Sequence, residues 1–227
     1  MNKIICNYFI LLLFIPLTIL IGVTFFDDRS YIFISFILVI LAAIPFFISF
    51  ENKEANTRYM VIIAVLVALS VVGRFLFTAI PAFKPVTAIV VISAMFFGAE
   101  AGFLVGALSA IISNMYFGQG PWTPFQMFSW GIIGFIAGLP KVRRLLKNNR
   151  IILILYGIFA GVIYSLMMDI WSVLSIENTF NFERYLTVVT ISTPFMITYA
   201  VSNVIFLLLI IKPIGEKLDR IKIKYGI

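Results

Sequence analysis

The architecture of this chain depends on one stretch, Val86-Thr-Ala-Ile-Val-Val-Ile-Ser-Ala-Met-Phe-Phe-Gly98-Ala-Glu-Ala-Gly102-Phe-Leu-Val-Gly-Ala-Leu-Ser-Ala-Ile-Ile-Ser-Asn-Met-Tyr116. Its apolar sequence is interrupted by Gly98-Ala-Glu-Ala-Gly102. A single helix of about 31 residues would measure about 46 Å, whereas the hydrocarbon core of a bilayer is about 30 Å thick. The stretch therefore predicts two short helices, 86–97 and 101–116, joined by a turn around Glu100.

Composition places these helices in a membrane. Of the 227 residues, 62% are hydrophobic and 12% are charged, and a soluble domain of this size cannot bury so much apolar surface. The chain has no His and one Cys, Cys6. Disulfides, thiolate metal sites and His-based acid–base catalysis are therefore not expected, and we predict no enzyme, no metal and no cofactor.

Six further apolar segments are long enough to cross a bilayer. They cover residues 8–26, 31–50, 59–80, 124–139, 151–173 and 190–211. The first lacks a small-x-small cleavage site and is followed at once by the second, so we interpret it as a retained helix and not as a signal peptide. With the divided stretch, the prediction is an all-α integral membrane protein of eight helices.

The positive charges support this count. Eight spans place both termini on one side, together with 13 of the 17 Lys and Arg residues. These 13 are Lys3, Lys53, Arg58, Lys141, Arg143, Arg144, Lys147, Arg150, Lys212, Lys217, Arg220, Lys222 and Lys224. The positive-inside rule makes that side cytoplasmic, so the basic runs are interpreted as topology signals and not as a nucleic-acid surface.

The charged stretch 51–58 divides the chain into two parts. Residues 1–57 are predicted to form an N-terminal pair of membrane helices, and residues 58–227 a six-helix unit with a basic cytoplasmic tail. The sequence contains no Gly-rich phosphate loop followed by Lys-Ser/Thr, which P-loop ATPases require. If the chain transports a solute, another subunit has to supply the energy.

Polar residues at membrane depth are costly and indicate functional sites. In the six-helix unit they collect toward the outer side, where we expect a binding site. The candidates are Arg74, Lys84, Asn114, Gln119, Trp122, Gln126, Trp130 and Asp169. Three of these, Trp122, Gln126 and Trp130, share one helix stripe, which continues into Gly134 and Gly138 and therefore predicts a pocket above a close helix contact.

Several of these residues also have a purely structural interpretation. Trp122 can be an interfacial aromatic residue, and Arg74 and Asp169 can neutralise each other as an ion pair instead of facing a ligand. Ala64 and Ala68, like Gly102 and Gly106, follow the small-xxx-small pattern, which serves internal packing as well as partner contact.

Several of these motifs resemble a known family. The stretches are Gly73-Arg-Phe-Leu-Phe, Ile80-Pro-Ala-Phe-Lys-Pro-Val-Thr-Ala, Gly98-Ala-Glu-Ala-Gly-Phe-Leu-Val-Gly106, and Ser113-Asn-Met-Tyr-Phe-Gly-Gln-Gly-Pro-Trp-Thr-Pro-Phe-Gln-Met127. Across residues 58–215 the chain resembles the substrate-binding S component of energy-coupling factor (ECF) transporters. The two N-terminal helices depart from the six-helix core of that family.

The resemblance implies a prokaryotic plasma-membrane subunit that captures a vitamin or related micronutrient from outside. It implies a membrane-embedded T subunit and two cytoplasmic ATPases as partners. Ala64 and Ala68 would meet the T subunit, residues 81–85 would close over the ligand, and residues 117–122 would line the site. The Gly-Gln-Gly-Pro-Trp-Thr-Pro pattern is most similar to the cobalamin branch, which makes a corrinoid the expected ligand.

Two other functions compete with this one. A membrane scaffold of the cell envelope would use the same small-residue faces for docking and would leave the outer polar residues incidental. A membrane enzyme is less well supported, because Arg74 and Asp169 provide no nucleophile–base pair.

Overall fold

The structure of the protein is a computed structural model, which describes residues 7–25, 37–38, 40–41, 44, 57–177 and 180–225. The described residues form helices. A π-helical turn, Ile10–Phe14, leads into α1 (Ile15–Phe25). The other helices are α2 (Thr57–Leu76), α3 (Val86–Phe97), α4 (Ala99–Phe117), α5 (Trp122–Gly138), α6 (Pro140–Asn148), α7 (Arg150–Glu177) and α8 (Phe182–Tyr225).

The deciding stretch divides as predicted. Helix α3 ends at Phe97, and α4 begins at Ala99, so the break lies at Gly98, two residues before the expected turn at Glu100. Gly98 has a φ of 97°, a left-handed conformation that glycine adopts at little steric cost. A Cβ on Gly102 would lie 2.5 Å from the Cβ of Ala94, which shows that the two helices fold back against each other.

From α2 onward, successive long helices alternate in direction. The last turns of α2 and α4 meet where Arg74 bonds Asn114. The first turn of α2 meets the end of α3, where the Tyr59 hydroxyl donates to the Phe97 carbonyl over 3.1 Å. We call the end of the bundle that contains Arg74 the pocket end, and the end that contains Tyr59 and α6 the basic end.

Length and hydropathy identify the membrane-crossing helices. In the described part of the chain, four helices can cross a bilayer alone: α2, α4, α7 and α8. Helices α5 and α6 meet at an angle of 77° and make a fifth candidate if taken together, while α3 is a shorter apolar helix. The chain is therefore an all-α, multi-pass membrane protein, and the count of eight spans stays a prediction.

Helix α6 was not predicted. The sequence suggested a cytoplasmic basic run, but Pro140–Asn148 is a separate amphipathic helix. Leu139, which precedes a proline, is extended with ψ at 137°, because the pyrrolidine ring disfavours the helical conformation in the residue before it. Leu146 is buried, and the Lys147 ammonium lies 4.2 Å from the centre of the Phe96 ring.

The last two helices extend well past their apolar segments. Helix α7 continues to Glu177, and α8 runs from Phe182 to Tyr225 instead of 190–211. Much of the expected outer loop 174–189 is thus helical. At the other end of α8, the Lys222 ammonium donates to the Phe96 carbonyl at the end of α3, over 2.8 Å.

Helices α4 and α5 pack closely along their glycines. A Cβ on Gly134 would lie 2.4 Å from the Gly102 carbonyl oxygen, and one on Gly106 would lie 2.5 Å from the Trp130 carbonyl carbon. Backbones can approach to this distance only where side chains are absent. The predicted close contact below the pocket is confirmed, and we call Gly102, Gly106, Gly134 and Gly138 the glycine seam.

Helix α1 lies against α5. The Tyr8 and Phe135 rings pack edge to face, with their centres 5.1 Å apart, and Leu11 and Ile15 are buried. Most of the second predicted N-terminal span, 31–50, falls outside the described residues. The division of the chain into 1–57 and 58–227 stays a prediction.

Candidate functional site

Arg74 is the centre of the polar cluster at the pocket end. Its residue exposure is 8%, and its Nη1 donates to the Ser113 hydroxyl and, over 2.7 Å, to Asn114 Oδ1. The guanidinium carbon lies 4.7 Å from the centre of the Phe117 ring and 5.4 Å from that of Trp130. Aromatic faces favour a cation at such distances, so the charge is held by neutral groups.

A chain of amide hydrogen bonds extends from this arginine. Asn114 Nδ2 donates to Gln126 Oε1 over 2.8 Å and to the Thr123 hydroxyl over 3.0 Å. Gln126 Nε2 in turn donates to the Tyr164 hydroxyl over 2.8 Å. The network joins α2, α4, α5 and α7, and it fixes the orientation of each amide because every bond has a defined donor.

Stacked aromatic rings form one wall of the site. The Trp130 and Tyr164 rings are nearly parallel, at 14°, with their centres 5.2 Å apart. Tyr199, on α8, meets Tyr164 edge to face with their ring centres 4.9 Å apart. These two tyrosines are not among the residues predicted for the site, because a lone Tyr within an apolar span gives no periodic signal of its own.

Lys84 enters the site from the segment between α2 and α3. Its backbone N–H donates to the Ser202 hydroxyl of α8 over 2.8 Å, and that hydroxyl donates to the Lys84 carbonyl over 3.1 Å. The ammonium lies 5.9 Å from the centre of the Phe117 ring, which Arg74 also contacts. Burial lowers the pKa of Lys84, and the nearby Arg74 cation lowers it further.

These groups surround a small cavity of about 20 Å³. Its lining residues come from five helices and one connecting segment. They are Arg74, Lys84, Val86, Thr87, Gln126, Trp130, Tyr164 and Tyr199. The structure thus brings together four of the eight residues predicted for the site: Arg74, Lys84, Gln126 and Trp130.

The other four predicted residues lie elsewhere. Asn114 is one hydrogen bond from the cavity. Gln119 supports the loop after α4, since its Nε2 donates to the Ile111 carbonyl and its Oε1 accepts from Thr123. Trp122 is 38% exposed and packs beside Gly120, so it is not a lining residue.

Asp169 is held apart from Arg74. Its Oδ2 accepts from the Ser192 hydroxyl over 2.6 Å, whereas Arg74 bonds Ser113 and Asn114. Both residues lie in the described part of the chain, and no ion pair joins them. The predicted alternative of a structural Arg74–Asp169 pair is therefore wrong. Among the described residues, no cluster of three or more His, Cys, Asp or Glu side chains could hold a metal ion.

The two small-residue patterns lie in different places. Gly102 and Gly106 belong to the glycine seam, where they pack internally. Ala64 and Ala68 lie on the exposed side of α2, in the same row as Val61 and Val65, which are 56% and 51% exposed.

These features define a helical membrane protein with an enclosed polar and aromatic cavity at one end of its bundle. Residues 54–216 match the profile of the family described as ECF-type riboflavin transporter, S component, and the chain belongs to that family. The description of that family is of a transporter component and not of an enzyme. The predicted resemblance is confirmed.

Curated relatives match over a shorter region. A UPF0397 protein of Aliivibrio fischeri (strain MJ11) is 32% identical over 105 residues, which are 44% of this chain and 54% of the relative. A UPF0397 protein of Vibrio atlanticus (strain LGP32) is 32% identical over 93 residues, 39% of this chain and 50% of the relative. The chain spans about half the length of the curated relatives it matches. No solved structure matches.

Proposed function

We propose that this chain captures a small planar ring compound of the flavin class from outside the cell for an ECF-type importer. The observation that carries the proposal is the cavity itself, where the Trp130 and Tyr164 rings stack beside the Gln126 amide. Planar rings favour offset stacking or edge-to-face contacts, and amides can both donate to and accept from a heterocycle. The name of the family supports the same ligand class.

The size of the cavity does not choose between this ligand class and the expected corrinoid. Its volume is about 20 Å³, whereas small-molecule sites span about 300–1,000 Å³. Either ligand therefore requires the pocket end to widen. The family name favours the flavin, and cobalamin is the competing ligand in the experiment.

Entry of the ligand requires the pocket end to open. Trp130 and Tyr164 are each 3% exposed, so a solute cannot reach them while the segment before α3 is in place. That segment is attached to α8 by the paired Lys84–Ser202 hydrogen bonds and by the Phe77, Phe83 and Phe206 rings. We propose that it detaches to admit the substrate, as expected for residues 81–85.

The remaining parts of the proposal concern the complex. The pocket end faces outward, and both termini are cytoplasmic, in the plasma membrane of a prokaryote. A T subunit binds the exposed Ala64 and Ala68 face, and two ATPases supply the energy. The exposure of that face and the positive charges at the basic end support this arrangement.

The test uses purified full-length chain in detergent. Riboflavin fluorescence should be quenched on binding without ATP, because the flavin stacks on Trp130. Trp130→Ala should weaken binding by about tenfold or more, as expected for losing one buried ring contact. Trp171→Ala, which removes a tryptophan packed on Phe125 outside the cavity, is the matched control and should bind as wild type.

Two results would contradict the proposal. One is tight binding of cobalamin with no binding of riboflavin. The other is an equal loss of riboflavin affinity in both tryptophan variants, which would mean that the cavity is not the site.

A further inference from the structure

The cavity contains more positive charge than its own residues balance. Arg74 and Lys84 both line it, whereas its other lining residues are neutral. Asp169 is a nearby acid, but it accepts from Ser192 and does not line the cavity. Like charges in a poorly solvated site disfavour each other, so the lining of the cavity has a net positive charge that an anion would neutralise.

Arg74 also has a hydrogen-bond donor available for a ligand. Its Nη1 bonds Ser113 and Asn114, but its Nε is buried and has no hydrogen-bond partner among the described residues. The whole residue is 8% exposed. A buried donor of a charged group that remains unpaired costs free energy, and such groups in native structures require an explanation.

The basic end offers a comparison, because a cation there is paired with an acceptor of the chain. There the Lys222 ammonium donates to the Phe96 carbonyl at the C-terminus of α3, where unpaired carbonyls and the helix dipole favour positive charge. Within the described part of the chain, the Lys84 ammonium has no such acceptor. Its hydrogen bonds to Ser202 use backbone atoms and leave the charged group for the cavity.

We infer that the substrate carries an anionic group, a carboxylate or a phosphate, which binds between Arg74 and Lys84 while its planar ring lies against Trp130 and Tyr164. The inference rests on the proposed function and narrows it, because riboflavin itself is neutral. Arginine provides a planar fork for two acid oxygens, and lysine adds a compact point charge. The amide chain through Asn114 and Gln126 holds the arginine in position.

Matched ligand pairs test the charge separately from the ring. Riboflavin is compared with riboflavin 5′-phosphate, and 6-hydroxymethylpterin with pterin-6-carboxylate, by titrating purified wild-type protein. The anionic member of at least one pair should bind at least about tenfold more tightly, as expected for one charge-assisted contact. The two pairs also distinguish a phosphate from a carboxylate.

Variants of Lys84 connect the preference to the cavity. Lys84→Met should reduce the ratio of the two affinities by about tenfold, while Lys84→Arg should keep the preference for the anion. Lys141→Met removes one exposed charge at the basic end and should leave the ratio unchanged. Because each ratio comes from one protein preparation, partial misfolding does not imitate the effect.

The outcomes separate the two proposals. If riboflavin binds and neither anionic member binds more tightly than its neutral partner, the anion inference is wrong and the proposed function stands. If an anionic member binds more tightly but Lys84→Met leaves the ratio unchanged, the assignment to these two cations is wrong. If no member of either pair binds, both proposals fail.

Discussion

Two helix surfaces of this protein carry small residues four apart, and they lie in opposite environments. In the glycine seam, α4 and α5 are so close that a Cβ on Gly134 would overlap the Gly102 carbonyl. On α2, Ala64 and Ala68 are exposed beside Val65 and Leu69. The same spacing of small residues thus forms a helix–helix contact in one place and an exposed surface in the other.

This contrast indicates a different role for each surface. The seam has a partner within the chain, since the glycines of α4 face those of α5, and it supports Trp130 directly above it. The α2 face has no such partner among the described helices, although its opposite side is buried through Ile63, Leu66 and Arg74. We therefore expect changes in the seam to affect folding and the site, and changes on the α2 face to affect assembly.

The largest effect is expected from Gly134→Leu. The new Cβ alone would lie 2.4 Å from the Gly102 carbonyl oxygen and 2.7 Å from Val90 Cγ1, and backbone cannot yield as a side-chain end can. Overpacking a core typically costs about 1–3 kcal/mol and occasionally more, and here two helices must separate. Size-exclusion chromatography in detergent should show loss of the monodisperse protein. A monodisperse variant that binds ligand normally would mean that the seam is not close-packed.

A smaller effect is expected from Gly106→Ala. Its Cβ would lie 2.5 Å from the Trp130 carbonyl carbon, so α5 must shift and displace the ring that faces the cavity. We expect a folded protein that is destabilised by about 1–3 kcal/mol and binds ligand more weakly, measured by thermal unfolding and by titration. Gly157→Ala is the matched control, because its Cβ first meets the Leu207 side-chain end at 3.1 Å. Equal losses of stability and ligand affinity in both variants would mean that the seam has no special role.

The fold was largely predictable because the bilayer limits helix length and Gly and Pro mark the breaks. The predicted helix 86–97 has the observed bounds, and 101–116 is observed as Ala99–Phe117. Helix α6 was missed because its residues were considered for their charge and not for the apolar periodicity that buries Leu146. Helix α8 continues past Pro213 to Tyr225, although a proline inside a helix removes one backbone hydrogen bond.

Half of the residues predicted for the site line the cavity, and there is a physical reason why the others do not. Arg74, Gln126 and Trp130 are unusual within membrane helices, and Lys84 lies outside the predicted cytoplasmic set of basic residues, so each is visible in the sequence alone. Which neighbour each one meets depends on how the helices pack. The sequence therefore could not reveal that Tyr164 receives the Gln126 bond, or that Asp169 turns to Ser192 and away from Arg74.

Ala68→Leu is expected to have the smallest effect on folding. It tests directly whether the α2 face and the glycine seam have different roles. The residue is exposed on α2, so the larger side chain displaces no neighbour, and stability should change by no more than about 0.5 kcal/mol. Ligand binding should match wild type, whereas co-purification with a T subunit should be lost, because close helix approach requires small side chains. Thr190→Leu, which adds a large apolar side chain to an exposed face of α8, should retain the partner. If Ala68→Leu also retains the T subunit, the α2 face is only a lipid-facing surface. If the variant unfolds, Ala64 and Ala68 pack internally, as the glycines of the seam do.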